Sequence, residues 1–239
     1  MHALNLAEAS TAKVVDLAQV PLRELNQALH EIEADSDGSN WEILNPAGSH
    51  AVAVGVERPV TVDVRGSVGY YCGGMNQNAT LTIHGSAGPG LGENMMSGTI
   101  RVKGDASQYA GATGRGGLLV IEGNASSRCG ISMKGIEIVV HGNVGHMSAF
   151  MAQSGNLVVL GDAGDALGDS IYEARLFVRG NVKSLGADCV AKEMRPEHLK
   201  LLQGLLDRAG VTGVKPEEFT RYGSARTLYN FDIDNADAY

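Results

Sequence analysis

Apolar residues and glycines recur every 19 residues through the middle of the chain. One repeat position is glycine in seven consecutive units without an insertion: Gly66, Gly85, Gly104, Gly123, Gly142, Gly161 and Gly180. An aliphatic residue stands four positions before each glycine and another stands two positions before it, as Leu119 and Ile121 do before Gly123. Alternation with a period of two is typical of a β-strand with one side facing a core. The pattern therefore predicts one such strand in every unit of a repeat architecture.

Two turns are predicted in each unit. The first follows the repeat glycine, at a small polar residue that tolerates left-handed backbone or hydrogen-bonds the local chain. This polar column consists of Ser67, Ser86, Asp105, Asn124, Asn143, Asp162 and Asn181. The second turn lies seven residues after the glycine, in a column made of Gly73, Gly92, Gly111, Gly130, Ala149, Gly168 and Ala187. We expect the repeat glycine to be needed either for positive φ or for close contact between units.

These units predict an all-β fold, a single-stranded right-handed parallel β-helix of about seven 19-residue coils with helical N- and C-terminal caps. A left-handed β-helix is built from hexapeptides, roughly 18 residues per coil. The unbroken period of 19 therefore favours the right-handed form, which is also the usual hand of parallel crossovers. The predicted division is an N-terminal helix with capping strands over residues 1–61, the β-helix over 62–194, and a C-terminal helix with a docking tail over 195–239.

Each end of the predicted rod carries a helix that begins at a proline. Pro21 starts a helix whose apolar face consists of Leu22, Leu25, Leu29 and Ile32. Residues 35–40 then predict a loop, and residues 41–56 predict an imperfect opening coil. Pro196 starts the second helix, which Gly210 ends, and its apolar residues are Leu199, Leu202, Leu205 and Leu206.

Two further apolar features predict contact with another element or with a partner. The outward strand position becomes apolar in the later coils, where it is occupied by Val120, Val139, Val158 and Phe177. The segment Leu228–Tyr239 combines three aromatic residues with three aspartates, and is too short and too charged to form a core. Aromatic side chains supply a large contact area. We expect this segment to dock on a partner subunit, and the alternative is that it packs on the chain's own β-helix.

Composition narrows the classes of protein that fit. The chain has 239 residues with 32 glycines and only 5% aromatic residues, so its core must be aliphatic. Its net charge of −8, without a basic stripe, disfavours nucleic-acid binding. Three cysteines without paired spacing indicate a reducing compartment. We see no leader and no apolar run of about 18 residues, and therefore expect a cytoplasmic protein without a membrane partner.

The sequence predicts no catalytic, cofactor-binding or metal site. The glycine-rich stretch 111–117 lacks the Gly-Lys-Ser/Thr of a phosphate loop and falls on turn positions, which favours a structural turn over a ligand loop. Cys72 and Cys129 share a repeat position three coils apart, roughly 14 Å, which is beyond disulfide reach. We interpret both, and Cys189, as core residues rather than redox or metal groups.

Three other residue classes could carry chemistry. Four histidines lack the convergent partners that a metal site needs. We therefore interpret them as surface residues rather than metal ligands: His84, His141, His146 and His198. A solvated acidic edge is predicted, with a cation or a basic partner as the alternative, at Asp162, Asp165, Asp169 and Asp188. The repeat positions of Met95 and Met133 predict that their side chains fill the core. Met75 and Met151, if exposed, would form an adaptable docking surface.

The repeat resembles the β-helical C-terminal domain of glutamate synthase large subunits, often called the GXGXG domain, and the related β-helical subunit of formylmethanofuran dehydrogenase. The motifs between the repeat glycines look like the stand-alone GlxC-type branch, which supplies the β-helical subunit of N-methylglutamate synthase (methylamine–glutamate N-methyltransferase). These motifs are NPAGSH at 45–50, YYCGGMN at 70–76, ENMMSG at 93–98, GATG at 111–114, RCGISMKG at 128–135, SAFMAQ at 148–153 and GDALGDS at 164–170.

The resemblance implies a non-catalytic structural subunit of a glutamate-synthase-like complex. It would hold a glutamine-amidotransferase-like subunit and an FMN-bearing glutamate-synthase-like subunit in register, while the complex makes N-methyl-L-glutamate and ammonium from methylamine and L-glutamate. No cofactor is expected in this chain, and FMN, with an iron–sulfur cluster as a further expectation, would lie in a partner. The catalytic nucleophile of the family is an N-terminal cysteine on another polypeptide. Residue 2 of this chain is histidine, so the resemblance assigns no such nucleophile to this chain.

Two alternatives stay open. The chain could be the scaffold of a formylmethanofuran dehydrogenase complex, which the identity of co-purifying subunits would reveal. It could also be a carbohydrate-active β-helix enzyme, although its repeats carry no insertion that would form long substrate-binding loops.

Overall fold

A computed structural model describes residues 12–33 and 39–228. The described chain forms one sheet of eleven strands with two α-helices and a short 3-10 helix at Pro216–Glu218. The helices are α1 (Leu22–His30) and α2 (Pro196–Ala209). The strands are β1 (Lys13–Asp16), β2 (Asn40–Leu44), β3 (Thr61–Arg65), β4 (Thr80–Ile83), β5 (Thr99–Val102), β6 (Leu118–Ile121), β7 (Lys134–Val140), β8 (Ser154–Val159), β9 (Arg175–Val178), β10 (Cys189–Lys192) and β11 (Thr220–Ser224).

The strands β1 to β9 stack in sequence order, each parallel to the next. Residues 19 apart face each other, as Leu81 faces Ile100 and Ile100 faces Leu119. On a second side of the coil, single parallel bridges join one column, which consists of Val68, Ala87, Ala106, Ala125, Val144, Ala163 and Val182. The predicted all-β parallel β-helix of about seven turns is therefore confirmed.

The core is aliphatic and runs the length of the rod. Both predicted inward columns are buried in every coil, as shown by Leu119 and Ile121, which are fully excluded from solvent. Burial of an aliphatic side chain of this size contributes about 1.5–3 kcal/mol, and here each contribution depends on the coils above and below.

A ladder of hydrogen bonds runs along the first turn. The side-chain oxygen of the polar residue in one coil accepts the backbone N–H of the polar residue in the next, as Asp105 Oδ1 does from Asn124 at 2.7 Å. The same bond links every successive pair from Ser67 to Asn181. A Cβ on Gly123 would lie 2.7 Å from the carbonyl oxygen of Gly104 and closer still to Asp105 Oδ1. The glycine column therefore provides space for the ladder.

Left-handed backbone is concentrated in the second turn. The glycines of that column have φ between +62° and +69°, and Ala149 adopts φ +57° in the same place. In the repeat-glycine column, by contrast, only Gly66 has positive φ, at +150°. We expected the repeat glycine to be needed either for positive φ or for close contact between coils. Close contact between coils is therefore the reason that applies along the column.

The predicted opening coil and N-terminal helix are both present. Trp41 and Ile43 of β2 pair with Val62 and Val64 of β3, which adds a coil before the seven regular ones. Leu25 and Leu29 on α1 are buried against the end of the core. The sequence did not predict β1, which extends the sheet one strand further. Most of the predicted 35–40 loop lies outside the described residues, and β2 already begins at its last residue.

Helix α2 covers the apolar outer face that the sequence left without a partner. Phe177 is fully buried there, together with the outward valines of β6, β7 and β8. Leu202, Leu205 and Leu206 form the facing surface of the helix, as their spacing predicted. Leu199, which was predicted on the same face, lies outside this cluster, and Leu201 packs against the cluster instead. Gly210 ends the helix in left-handed conformation, φ +74°, and Arg101 donates a hydrogen bond to the Ala209 carbonyl at 3.0 Å. The cover is thus intramolecular.

The chain returns to the sheet after α2. Strand β11 runs antiparallel between β9 and β10 and separates them, so that Arg221 lies opposite Phe177 on one side and Lys192 on the other. No strand was expected here because Thr220–Ser224 lacks alternating apolar residues. The predicted docking segment lies outside the described residues from residue 229 onward.

Candidate functional site

The cysteines and the glycine-rich stretch have structural environments. Cys72 and Cys129 are fully buried, Cys189 is nearly so, and all three are free thiols. Burial raises the pKa of each thiol to about 12, which keeps it protonated and unreactive at neutral pH. A Cβ on Gly117 would lie 2.6 Å from Met95 Cε, so residues 111–117 form a tight turn against the core. Core packing of the cysteines is confirmed, and the glycine-rich stretch lies on turn positions.

The acidic residues near the last coils form hydrogen bonds and an ion pair with neighbouring segments of the chain. Asp162 accepts the N–H of Asn181, and Asp165 pairs with Lys183 at 2.7 Å. Asp188 accepts hydrogen bonds from Ser224 Oγ and Thr227 Oγ1 and from the Thr227 N–H. Burial alone would raise the pKa of Asp188, but these hydrogen bonds outweigh it and hold the pKa below its usual value. Asp162 is exposed and the Asp165 side chain is 46% exposed, as the predicted solvated edge requires, and each carboxylate also binds a neighbouring segment.

The surface interpretation of the histidines is wrong for His198. This ring is 3% exposed, and its Nδ1 accepts the N–H of Arg195 at 3.2 Å, which caps the first turn of α2. His141 is half-buried, and its pKa is lowered mainly by burial. His84 fits the prediction better, since it lies at the surface beside Asp63, 2.7 Å away. Among the described residues, no three His, Cys, Asp or Glu side chains are arranged to hold a metal ion.

Large apolar side chains are exposed at one corner of the first coils. Met95 and Met133 are fully buried, as predicted, whereas Met75 is 49% and Met151 46% exposed. We define the Tyr–Met corner by its residues, His50, Tyr70, Tyr71, Met75 and Met96. Tyr70, Tyr71 and Met96 expose 49%, 52% and 43% of their surface. The sequence pointed to Met75 but gave no signal for the aromatic members, whose grouping depends on the register of the opening coil.

Two glycines make room for the aromatic rings of the corner. The His50 ring stacks on Tyr70 with ring centroids 4.4 Å apart, and its Nδ1 accepts the Tyr70 N–H at 3.0 Å. A Cβ on Gly69 would fall onto this imidazole, 2.7 Å from Cε1. A Cβ on Gly90, one coil further, would lie 2.7 Å from Tyr71 Cδ1, so the Tyr71 ring lies over that glycine. The rings are therefore held in place rather than loosely attached.

Two residues of the corner have a backbone conformation that is energetically unfavourable for residues with a side chain. Tyr71 and Met75 have φ of +58° and +55°, a region that costs a residue with a side chain about 1–2 kcal/mol. Asn94 occupies the Met75 position in the next coil, where its short polar side chain suits left-handed backbone better. Left-handed backbone recurs in both columns in the coils that follow, for example at Tyr109 and Thr113, so this conformation belongs to the repeat. What marks the corner is the large apolar side chains that occupy these positions and stay half exposed, which suggests a binding role.

The chain was also compared with known proteins. It is 75% identical over 226 residues to the protein named Protein GlxC of Rhizobium meliloti (strain 1021), a match that covers 95% of this chain and 99% of that protein. The chain belongs to the GlxC family. No protein-family model matches it.

Two features of this GlxC family member bear on what its surface can do. Strands β1 to β9 of the described rod stack in an uninterrupted order. None of the described helices is both long and apolar enough to cross a lipid bilayer. The Tyr–Met corner is then the strongest candidate for contact with another molecule on the first coils.

Proposed function

We propose that this chain is a non-catalytic structural subunit of a glutamate-synthase-like complex, and that the complex is N-methylglutamate synthase. The complex converts methylamine and L-glutamate to N-methyl-L-glutamate and ammonium. The β-helix holds a glutamine-amidotransferase-like subunit and an FMN-binding glutamate-synthase-like subunit in register. The observation that carries the proposal is the exposed, apolar Tyr–Met corner on the stacked coils.

The use of the polar side chains supports a scaffold. The carboxylates of Asp105, Asp162 and Asp188 are occupied by hydrogen bonds from neighbouring coils or from the returning chain. These hydrogen bonds stabilise the stack of coils. Membership of the GlxC family, and the resemblance of the glycine repeat to the β-helical domain of glutamate synthase large subunits, agree with this role.

The proposal assigns the flavin and any iron–sulfur cluster to partner subunits. An iron–sulfur cluster needs several thiolates close together. Cys72 and Cys129 lie in separate coils, and their buried thiols have pKa values of about 12. The cysteines of this chain therefore do not fit such a cluster.

Reconstitution tests the proposed complex. The chain is expressed with the two partner subunits from the same source, purified through a tag on this chain, and assayed for N-methylglutamate. We expect all three subunits to co-purify with activity, and the isolated chain to have none. Turnover by the isolated chain would overturn the scaffold role. Purification of the tagged chain from its native source, if it yields formyl-transferring subunits instead, would reassign the rod to that reaction.

A matched pair of double variants tests the corner itself. Tyr71→Ala with Met75→Ser removes the exposed apolar groups, and Tyr109→Ala with Thr113→Ser places the same residues in the same columns two coils along, where both side chains are partly buried. Serine already stands in the second of these columns at Ser132, so both variants should fold. We expect only the first variant to lose co-purification, by tenfold or more, at an unchanged melting temperature. Equal retention of partners by both variants would exclude the corner as the docking surface.

A further inference from the structure

The last coil leaves apolar side chains uncovered at the C-terminal end of the rod. Leu185 bridges to Leu167 in the coil before it, but the described chain has no further coil, and Leu185 stays 38% exposed. On β10, Ala191 lies directly opposite Tyr222, which packs against the main core, so both side chains are on the core side of the sheet. Ala191 is nevertheless exposed. A solenoid needs a cap at both ends, and α1 supplies one only at the N-terminal end.

Strand β10 also presents an open edge. It is the last strand in the order of the sheet, and β11 is its one strand partner among the described residues. Val190 on this strand is 37% exposed. An edge of this kind, with apolar residues and backbone groups that face no neighbouring strand, readily pairs with another strand. The end of the rod therefore offers a pairing edge beside an apolar surface.

The described chain returns to this strand just before it ends. Strand β11 finishes at Ser224, opposite Cys189 at the start of β10. The chain then passes Asp188, the residue that precedes β10: the Ala225 N–H donates to the Asp188 carbonyl at 2.7 Å, and the Thr227 N–H donates to its carboxylate at 2.8 Å. The free edge of β10 lies two strand spacings from β11, about 10 Å, and the four residues after β11 reach about 13 Å when extended. The residues that follow are therefore within reach of that edge.

The sequence beyond the described residues has the pattern of a strand. Apolar residues alternate with polar ones, with Tyr229, Phe231 and Ile233 apolar and Asn230, Asp232 and Asp234 polar. Aromatic and β-branched residues at a spacing of two are typical of a strand with one buried face. In such a strand the three apolar side chains lie on one side, and the amide and both carboxylates lie on the other.

We propose that residues 229–234 pair with the free edge of β10 as a parallel strand and cap the C-terminal end of the rod. The direction follows from the topology, because the chain passes Asp188 at the start of β10 and runs on along that strand. A register that continues from the last hydrogen bond to Asp188 places Phe231 beside Ala191, so the apolar side faces the uncovered end of the core. A shift by one residue would turn the aspartates toward the core.

Charge favours the same register. Lys192 lies opposite Arg221 across the β10–β11 pair, and like charges in this position repel each other. The proposed strand places Asp232 on the other side of Lys192, on the same face of the sheet, where opposite charges attract. A short covalent tether also raises the effective concentration of the segment to about the millimolar range. The occupant of this edge is therefore the chain's own segment. The edge lies at the opposite end of the rod from the Tyr–Met corner, so the proposal is independent of the proposed function.

Disulfide cross-linking within the full-length chain tests the register. Val190 and Asn230 would be neighbours on the outer side of the sheet, with Cα atoms about 4.8 Å apart, which is within disulfide reach. We expect Val190→Cys with Asn230→Cys to form an intramolecular disulfide under mild oxidation. The matched control, Ala191→Cys with Asn230→Cys, moves one cysteine to the core side of the same strand, and its disulfide should form at least about tenfold more slowly. Peptide mapping separates these disulfides from any that involve Cys189.

Removing the apolar side of the segment tests the cap. Phe231→Ser with Ile233→Ser should make the backbone amides of β10 exchange at least about tenfold faster and lower the melting temperature by about 5 °C or more. The control, Asn235→Ser with Tyr239→Ser, changes two residues beyond the proposed strand and should leave both measurements unchanged. Neither variant removes a side chain from the described coils, so the stack of coils folds in both.

Each result has a defined meaning. Faster cross-linking of the Val190 and Asn230 pair within one chain, together with a loss of protection in the Phe231 and Ile233 variant alone, supports the cap. Equal rates for the two cysteine pairs would overturn it, because a freely moving segment reaches both positions. Disulfides between two chains would assign the edge to a second copy, and no disulfide in either pair would leave the segment to a partner subunit. Both of these results overturn the proposal, as would equal effects of the two serine variants.

Discussion

Replacing Gly123 by alanine adds one methyl group where the first turns of two neighbouring coils are closest. The new Cβ would lie 2.7 Å from the carbonyl oxygen of Gly104 and even closer to the Oδ1 atom of Asp105. That Oδ1 accepts the Asn124 N–H at 2.7 Å, and Gly123 N itself donates to Gly104 O at 3.0 Å. The methyl group therefore forces the coils apart or displaces the Asp105 side chain.

The size of the effect follows from these two consequences. Losing a hydrogen bond to a charged acceptor costs about 1.5–3 kcal/mol, and forcing a methyl group into close packing costs about 1–3 kcal/mol. We expect Gly123→Ala to lower the free energy of unfolding by about 2.5–6 kcal/mol, combining the two contributions. For a chain of this size the melting temperature should fall by roughly 5–24 °C.

Thermal denaturation with two companion variants makes the test specific. Gly204 lies within α2 and has no atom within 4 Å of a Cβ position, so Gly204→Ala should raise stability by about 0.5–1 kcal/mol. Gly123→Asn separates the two reasons for the repeat glycine. If positive φ were required, asparagine would be tolerated better than alanine, whereas close contact predicts that it is at least as harmful. A melting temperature for Gly123→Ala within about 1 °C of wild type would refute the packing explanation.

Two further variants test the outer helix and the returning strand. Phe177→Ala removes the largest buried side chain beneath α2 and should cost about 3–5 kcal/mol in chemical denaturation; a loss under about 1 kcal/mol would mean that the helix is not held there. Asp188→Asn should lower the melting temperature at pH 7, because the pKa of Asp188 is depressed in the folded chain and its stabilisation is present above the unfolded value near about 4. That stabilisation is lost as the pH falls through the folded pKa. The difference in melting temperature between wild type and variant should therefore narrow below about pH 4. A constant difference down to about pH 3 would contradict the role given to Asp188.

The repeat made most of the fold predictable from the sequence. A strand position such as Leu119 has the same neighbours in every coil, so seven copies of one pattern determine inward faces, turns and register together. The apolar outer column was also informative, because Phe177 could not remain exposed, although the pattern did not identify α2 as its cover.

The parts that the sequence did not predict depend on single contacts between distant segments. Arg221 is buried because β11 lies between β9 and β10, and no local alternation marks Thr220–Ser224 as a strand. His198 is buried at the start of α2, where its Nδ1 accepts the Arg195 N–H. In the Tyr–Met corner, Tyr70 stacks on His50 only when the irregular opening coil is in register with the next.

The position of β11 has a consequence for biosynthesis. The coils up to β9 can stack as they leave the ribosome, since each pairs with the one made before it. The edge of β9 stays open until Thr220–Ser224 has emerged, several seconds later at about 5–20 residues per second. During that interval the nascent rod presents a bare strand edge to neighbouring chains, the kind of surface that templates aggregation. Chains truncated before residue 220 would carry this edge permanently.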